Sequence, residues 1–256
     1  MKRLLPIANI LGFLAVVTVN ALANILPIAG KTTGELSALY PNLFVPADIT
    51  FSIWGLIYLT LLGFVFYQAQ GLLPTKNVNP PFVQRISWLF VLSCALNVSW
   101  IFTWHYQYVE LSLLIMVALL LTLLGIYLRL NIAREARPWK EKLFVVVPFS
   151  LYLGWISIAT IANVTTLLVD KGWTTLLLGA EFWTIVMIAI GMALTVFILL
   201  RRNDIIYALV VIWAYVGIML KQNELNPSVF WAAATSISII TLILLTRIGR
   251  WLSPKD

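Results

Sequence analysis

Eight apolar runs, each near the length of a membrane span, follow one another along this chain with only short polar breaks between them. A helix crosses a hydrocarbon core of about 30 Å with about 20 apolar residues. Runs of that kind lie near residues 4–28, 48–70, 83–105, 109–130, 143–166, 173–200, 205–221 and 228–249. Pro41-Asn42 and Pro46 precede the second run, Asn79-Pro80-Pro81 the third, Arg134-Glu135-Ala136-Arg137-Pro138 the fifth and Asn226-Pro227-Ser228 the last. Proline, asparagine and charge are the residues expected where helices stop and start. Hydrophobic residues make up 61% of the chain and charged residues 11%, against about a quarter charged in soluble domains. The fold class predicted is all-α: a polytopic membrane helix bundle of about eight transmembrane helices.

The basic residues test this layout independently. With the N-terminus inside, the inner segments hold Lys2, Arg3, Lys76, Arg85, Arg129, Arg134, Arg137, Lys140, Lys142, Arg201, Arg202, Arg247, Arg250 and Lys255, and the outer ones only Lys31, Lys171 and Lys221. Basic residues near helix ends resist translocation, so this bias predicts that both termini are cytoplasmic. It also accounts for the net charge of +7 without a nucleic-acid partner. The expected location is a cell membrane, that of a bacterium or archaeon. Lys2-Arg3, the apolar stretch and Ala21-Leu22-Ala23 imitate a signal peptide, but the apolar run continues to Ile28. An uncleaved first span is therefore expected, and removal of residues 1–23 stays open as the alternative. It would leave seven spans. A retinal protein would then need a lysine deep in a helix, and Lys221 sits at a helix end. The longest hydrophilic pieces, about 29–47 and 131–142, are too short for a soluble core, and no internal repeat suggests an inverted-repeat transporter.

Catalytic constellations are missing. The chain has a single histidine, His105, and a single cysteine, Cys94, inside an apolar run, so no intramolecular disulfide can form. There is no glycine-rich phosphate loop and no facing pair of carboxylates, so an enzyme is not expected. Polar groups in the spans are mostly amides and hydroxyls, among them Asn9, Asn20, Asn24, Asn97 and Asn163; such groups commonly bond across helix interfaces. Three sets of residues share a helix face by spacing: Phe51, Trp54 and Tyr58; Asn97, Trp100 and Trp104; and Tyr152, Trp155, Ala159 and Asn163. They could wall a cavity for a flat, largely apolar ligand. Ordinary packing and the interfacial aromatic belt would give the same spacing.

Tyr40-Pro41-Asn42-Leu43-Phe44-Val45-Pro46, followed by Phe51-Ser52-Ile53-Trp54-Gly55-Leu56-Ile57-Tyr58, resembles the first-loop and second-helix signature of the tryptophan-rich sensory protein family (TspO/MBR, the peripheral benzodiazepine receptor relatives). Leu96-Asn97-Val98-Ser99-Trp100 resembles its third-helix motif, and the stretch from Tyr152-Leu153-Gly154-Trp155 through Ala159 to Asn163 its fifth-helix signature. The resemblance implies a five-helix bundle with an aromatic-lined cavity beneath the first loop. Members bind porphyrins and other hydrophobic ligands, some bind sterols, and roles in tetrapyrrole breakdown have been proposed. By resemblance, Trp54, Tyr58, Asn97, Trp100, Tyr152, Trp155, Ala159 and Asn163 would lie in or beside that cavity.

The resemblance covers roughly residues 5–166. Two units are expected: a five-helix bundle over 1–170 and three further helices over 171–256. The first-loop double proline is here Pro46-Ala47, the loop tryptophan is absent, and the proline before the fifth-helix tyrosine is displaced to Pro148. A sterol-type pattern occurs only at Leu124–Arg129, on the fourth helix, and sterol binding is not carried over.

Glu181 is expected eight residues beyond Trp173, about 12 Å along the sixth helix. At that depth it could couple protons, bind a cation or hydrogen-bond within the three added helices, and a tilted helix would bring it to the outer interface. His105 is expected at the outer surface, and Asp48 as the cap of the second helix. The leading expectation is a receptor or sensor for a hydrophobic small molecule, a porphyrin or other tetrapyrrole, with the first outer loop as its lid. No bound cofactor is expected beyond such a ligand. The alternative is a small-molecule transporter with Glu181 as the proton-coupling residue. The partners expected are the lipid bilayer and that small molecule; assembly into a homo-oligomer is left open.

Overall fold

The computed structural model describes residues 4–26, 28–72, 80–173 and 179–252. The expected signals at Lys2, Arg3, Pro27, Lys76, Asn79, Thr174–Leu178 and Lys255 lie outside the described residues. All regular structure among the described residues is helical. Eight long helices carry it: α1 Leu4–Ile25, α2 Ile53–Ala69, α3 Leu89–His105, α4 Val109–Arg129, α5 Val147–Asp170, α6 Gly179–Arg202, α7 Ile205–Gln222 and α8 Pro227–Leu252. Seven are long and apolar enough to cross a membrane, with α2 counted together with the helical turns on either side of it and α5 with those that precede it. The eighth, α3, is apolar but has 17 residues, a rise of about 26 Å and just enough for a span. In hydrocarbon every backbone polar group must be satisfied within the protein, which helices do from their own residues.

Two compact units divide the chain: Met1–Leu36 with Trp54–Leu153, and Ser37–Ile53 with Gly154–Asp256. The first loop is thus grouped with the last helices, and α5 contributes to both. That helix is the most buried of the seven: 83% of its apolar window is inside the protein, against 22–56% for the other six. Lipid explains the low values. Leu111, Leu114 and Leu121 on α4 are exposed, which costs nothing against acyl chains.

In the first unit, glycines let helices close on one another. A Cβ at Gly12 of α1 would lie 3.2 Å from Cys94 Cβ on α3, and one at Gly63 of α2 would lie 3.0 Å from the Phe144 ring. Phe64 is the hub of an aromatic core, with Phe82, Phe90 and Phe149 at centroid distances of 6.0, 5.1 and 5.0 Å. Pro148 has no N–H to donate and its ring would crowd the carbonyl four residues back. The chain answers with a π-helical stretch at Lys142–Val146, immediately before α5; wide turns of this kind are one way a helix absorbs such a misfit.

One end of this unit is ionic. Arg137 pairs with Glu135 and Glu141 at 2.9 Å each, and its guanidinium also donates to the Leu130 carbonyl at the end of α4. Glu135 in turn pairs with Arg85. Two segments assigned to the inner side by charge, before α3 and between α4 and α5, are therefore joined directly. At the other end Thr32 and Glu35 form a reciprocal capping box around the helix Thr33–Ala38: the Glu35 carboxylate accepts from the Thr32 N–H at 2.7 Å, and Thr32 Oγ1 accepts from the Glu35 N–H.

In the second unit α7 touches both α6 and α8. Asp204 caps α7 by accepting from the Tyr207 N–H at 3.1 Å, and Asn226 caps α8 by accepting from the Val229 N–H at 3.0 Å. Gly154 admits α7 to within van der Waals reach of α5: an added Cβ would lie 3.1 Å from Val210 Cβ. Gly191 on α6 makes room for Tyr215 of α7, whose hydroxyl donates to the Ile188 carbonyl at 2.6 Å. Asp48 does not cap α2. It stands in the first turn of a short 3₁₀ helix, Asp48–Ser52, with Ala47 at the cap position and no side-chain capping bond. The 3₁₀ turn moves the helix start away from the carboxylate.

Candidate functional site

In the first unit the second, third and fifth helices bring aromatic and amide groups together. Trp54 stacks on Tyr58, centroids 5.6 Å apart and planes at 23°, one helical turn along α2. It meets Tyr152 of α5 edge-on at 6.2 Å. Asn97 of α3, with 1% of its surface exposed, donates from Nδ2 to the Tyr152 hydroxyl at 2.9 Å. Its Oδ1 accepts from Asn20 Nδ2 of α1 at 2.8 Å. The Tyr58 hydroxyl is buried beside the same amide. Four helices thus meet on one amide, which supplies a donor and an acceptor at once.

Trp100 and Trp104 form a second group further along α3. Their rings stack at 5.7 Å and 14°, and the Trp104 indole N–H donates to the Thr33 carbonyl at 3.3 Å. The Thr33–Ala38 helix is thereby fastened to the end of α3. A small void in this unit is lined by Phe13, Val16, Leu61, Phe90, Ser93, Cys94 and Tyr152. It gives the centre of a water molecule about 10 Å³ of space, room for about one water and no ligand cavity.

The other expected residues stand in the second unit. Phe51 meets Trp155 edge-on, with centroids 6.0 Å apart and planes at 88°. Trp155 is buried; Ala159 is half-buried. Asn163 is also buried, and its Nδ2 donates to the Ala159 carbonyl of its own helix at 3.0 Å. This bond occupies an amide hydrogen that spacing had offered to a ligand. Its cause is local: on a helix an amide side chain reaches the carbonyl four residues back.

One expectation about an ionisable group is corrected, and for a second the structure shows the structural one of its two readings. His105 is buried, with 1% exposure, rather than at the outer surface. Its Nδ1 lies 2.7 Å from the Ile101 carbonyl, which accepts the ring N–H, and Nε2 is buried without a hydrogen bond. The ring is held by its own helix, and the chain turns two residues later, with Gln107 at φ 58°. Glu181 is not deep in a helix: α6 as described begins at Gly179, where φ is 75°, so Glu181 stands exposed in its first turn. Its carboxylate accepts from Asn226 Nδ2 at 3.3 Å. Trp173, taken as the start of that helix, belongs to the turn that follows α5.

Three polar residues gain a role that spacing did not reveal. Gln68 pairs with Asn9, accepting from its Nδ2 at 2.8 Å with both side chains fully buried. Trp213 and Gln222 of α7 reach first-loop carbonyls, at Thr50 and Leu43 respectively. Gln68 and Gln70 are the two amides in its apolar run, and they were the available signal. The two α7 residues gave none: Gln222 ends its helix, where an amide is ordinary, and Trp213 stands mid-helix, where an indole reads as packing.

Searches of curated proteins and of solved structures returned no match. A family model described as TSPO-like protein matches residues 6–246. The match runs on through α6, α7 and all but the last turns of α8, well beyond residue 166, where the motif resemblance ended. The last three helices therefore fall inside the matched region. With motifs, helix order and a match over nearly the whole length in agreement, this multi-pass membrane protein belongs to the TSPO-like family.

Proposed function

We propose that this protein binds a hydrophobic small molecule, with a tetrapyrrole as the first class to test, against the aromatic and amide groups of α1 to α5. The observation that supports this most directly is the meeting of Trp54, Tyr58 and Tyr152 around Asn97. Aromatic faces supply apolar area with little side-chain entropy to lose, and a central amide can orient one polar edge of a flat ligand. Trp100 and Trp104 in the first unit and, separately, Phe51, Trp155, Ala159 and Asn163 in the second are further residues to test. The transport alternative lacks comparable support, since Glu181 is exposed in the first turn of α6.

The test is a fluorescence titration of the purified protein with protoporphyrin, beside a Trp54→Ala/Trp100→Ala double variant and a Trp155→Ala variant. Saturable quenching that weakens at least tenfold in the variants, the loss of about 1.4 kcal/mol of stacking, upholds the reading. Equal affinity in all proteins, with insertion intact, removes the aromatic groups from consideration.

A further inference from the structure

The first-loop segment is held by α7 through three hydrogen bonds. Gln222 Nε2 donates to the Leu43 carbonyl at 3.1 Å, the Ala47 N–H donates to the Gly217 carbonyl at 3.0 Å, and the Trp213 indole N–H donates to the Thr50 carbonyl at 2.9 Å. Together they run along about 14 Å of helix. Gly217 sits at the middle of this seam. A Cβ there would run into the Thr50 side chain and lie 2.9 Å from Pro46 Cβ. Glycine inside a helix costs about 1 kcal/mol relative to alanine, and the close approach of the loop explains its presence. From the other side Asn42 fixes the loop's own shape, its Oδ1 accepting from the Phe44 and Val45 N–H groups.

The residue after Thr50 is Phe51, whose ring meets Trp155. The α7 seam therefore ends one residue from a member of the candidate site. The seam is also incompletely satisfied: Thr50 Oγ1 and Gln222 Oε1 are buried without a hydrogen bond. Unpaired buried acceptors cost free energy in the closed arrangement and regain partners when it opens. Such a seam holds a segment firmly enough to position it and weakly enough to release it.

We infer that Trp213, Gly217 and Gln222 are positioning residues, which set Phe51 against Trp155 through the backbone of Leu43–Thr50 and so govern how a flat apolar ligand is held and released. This rests on the binding reading proposed above. It gives α7 a task in binding, although none of its residues belongs to the aromatic set.

The experiment uses the full-length protein in nanodiscs and the variant Trp213→Phe, which keeps an aromatic ring and removes one donor. Amide hydrogen exchange is followed without ligand for a peptide covering residues 43–51. Protoporphyrin is then bound, and its release rate and Soret band position are recorded. The expected result is faster exchange in that peptide alone, release about three- to tenfold faster, the worth of one hydrogen bond, and a shifted Soret band. A merely destabilised protein would lower the bound fraction without moving the band. Gly217→Ala should give the same signature more strongly. Unchanged exchange overturns the inference, as do an unchanged release rate and band in a variant whose peptide exchanges faster. A wild-type protein that binds no protoporphyrin overturns the binding reading itself, and exchange then still reports whether α7 holds the loop.

Discussion

Removing the Tyr152 hydroxyl and the Asn97 amide, singly and together, measures how strongly the candidate site binds its own helices to one another. Tyr152→Phe leaves Asn97 Nδ2 without the acceptor it has at 2.9 Å. Polar contacts between membrane helices average about 0.6 kcal/mol and reach about 1.7, so a cost of that order is expected for this variant. Asn97→Ala removes the same bond and also the one from Asn20 at 2.8 Å. Asn20 Nδ2 keeps the Val16 carbonyl at 2.9 Å, so it is not stranded, and the second loss is limited. With the truncated side chain added, Asn97→Ala should cost about 2–3 kcal/mol. In the double variant the shared bond is counted once, and a coupling of about 0.6–1.7 kcal/mol should appear. Steric trapping or reversible unfolding in bicelles would measure all four proteins. A coupling below about 0.3 kcal/mol, the scatter expected of independent sites, would mean that Asn97 and Tyr152 are neighbours without being partners. The amide would then lose its place as the junction of four helices.

Gly191→Ala should destabilise the protein by about 1–3 kcal/mol through overpacking against Tyr215, and Tyr215→Phe in the same chain should restore part of it, as read by thermal unfolding. The Glu135 carboxyl is held below its ordinary value of 4.5 by hydrogen bonds from Arg85 and Asn131 and by the charges of Arg85 and Arg137. Its contribution is therefore present above pH 4.5 and lost as pH falls through the lowered value; for so exposed a pair it is at most about 1 kcal/mol, and Glu135→Gln should flatten the stability profile in that acid window. A C-terminal fluorescent-protein fusion should glow in the cytoplasm, because fourteen basic residues lie in segments assigned to that side; a dark fusion with an active periplasmic reporter would reverse the orientation.

Apolar length and punctuation made the eight long helices legible, with ends displaced by up to six residues. The run read as 109–130 is Val109–Arg129, and that read as 205–221 is Ile205–Gln222. In a membrane the local rule and the global rule coincide, since a long apolar segment must be helical to satisfy its backbone. Helix-face spacing also foresaw that Trp54 and Tyr58 would share a side and that Asn97 and Tyr152 would be buried. It could not foresee which partner each would take. Asn163 illustrates the limit: the same spacing serves a cavity or a bond to the helix's own carbonyl, and the structure has that bond. The depth of Glu181 was measured from a helix start at Trp173, whereas the helix as described begins at Gly179 with positive φ; for His105 the helix end was read correctly and only the burial of its ring was not.

The first loop shows why a motif can identify a family and still conceal an arrangement. Tyr40–Pro46 and Phe51–Tyr58 read as one continuous signature, yet the boundary between the compact units falls inside it, between Ile53 and Trp54. The loop segment from Leu43 to Thr50 has its hydrogen bonds to α7, 163 to 179 residues later in the chain. Such bonds leave no periodicity in either segment: each uses a backbone carbonyl, which every residue possesses, and the donors are a backbone N–H, a terminal glutamine and a mid-helix tryptophan that packing alone would also explain. What the sequence does carry is Gly217 inside an apolar helix, where alanine would serve better unless something must come close. Read that way, the helices beyond the recognisable motif belong to the same structural problem as the motif, namely how a polar loop is kept in one place at the edge of a membrane.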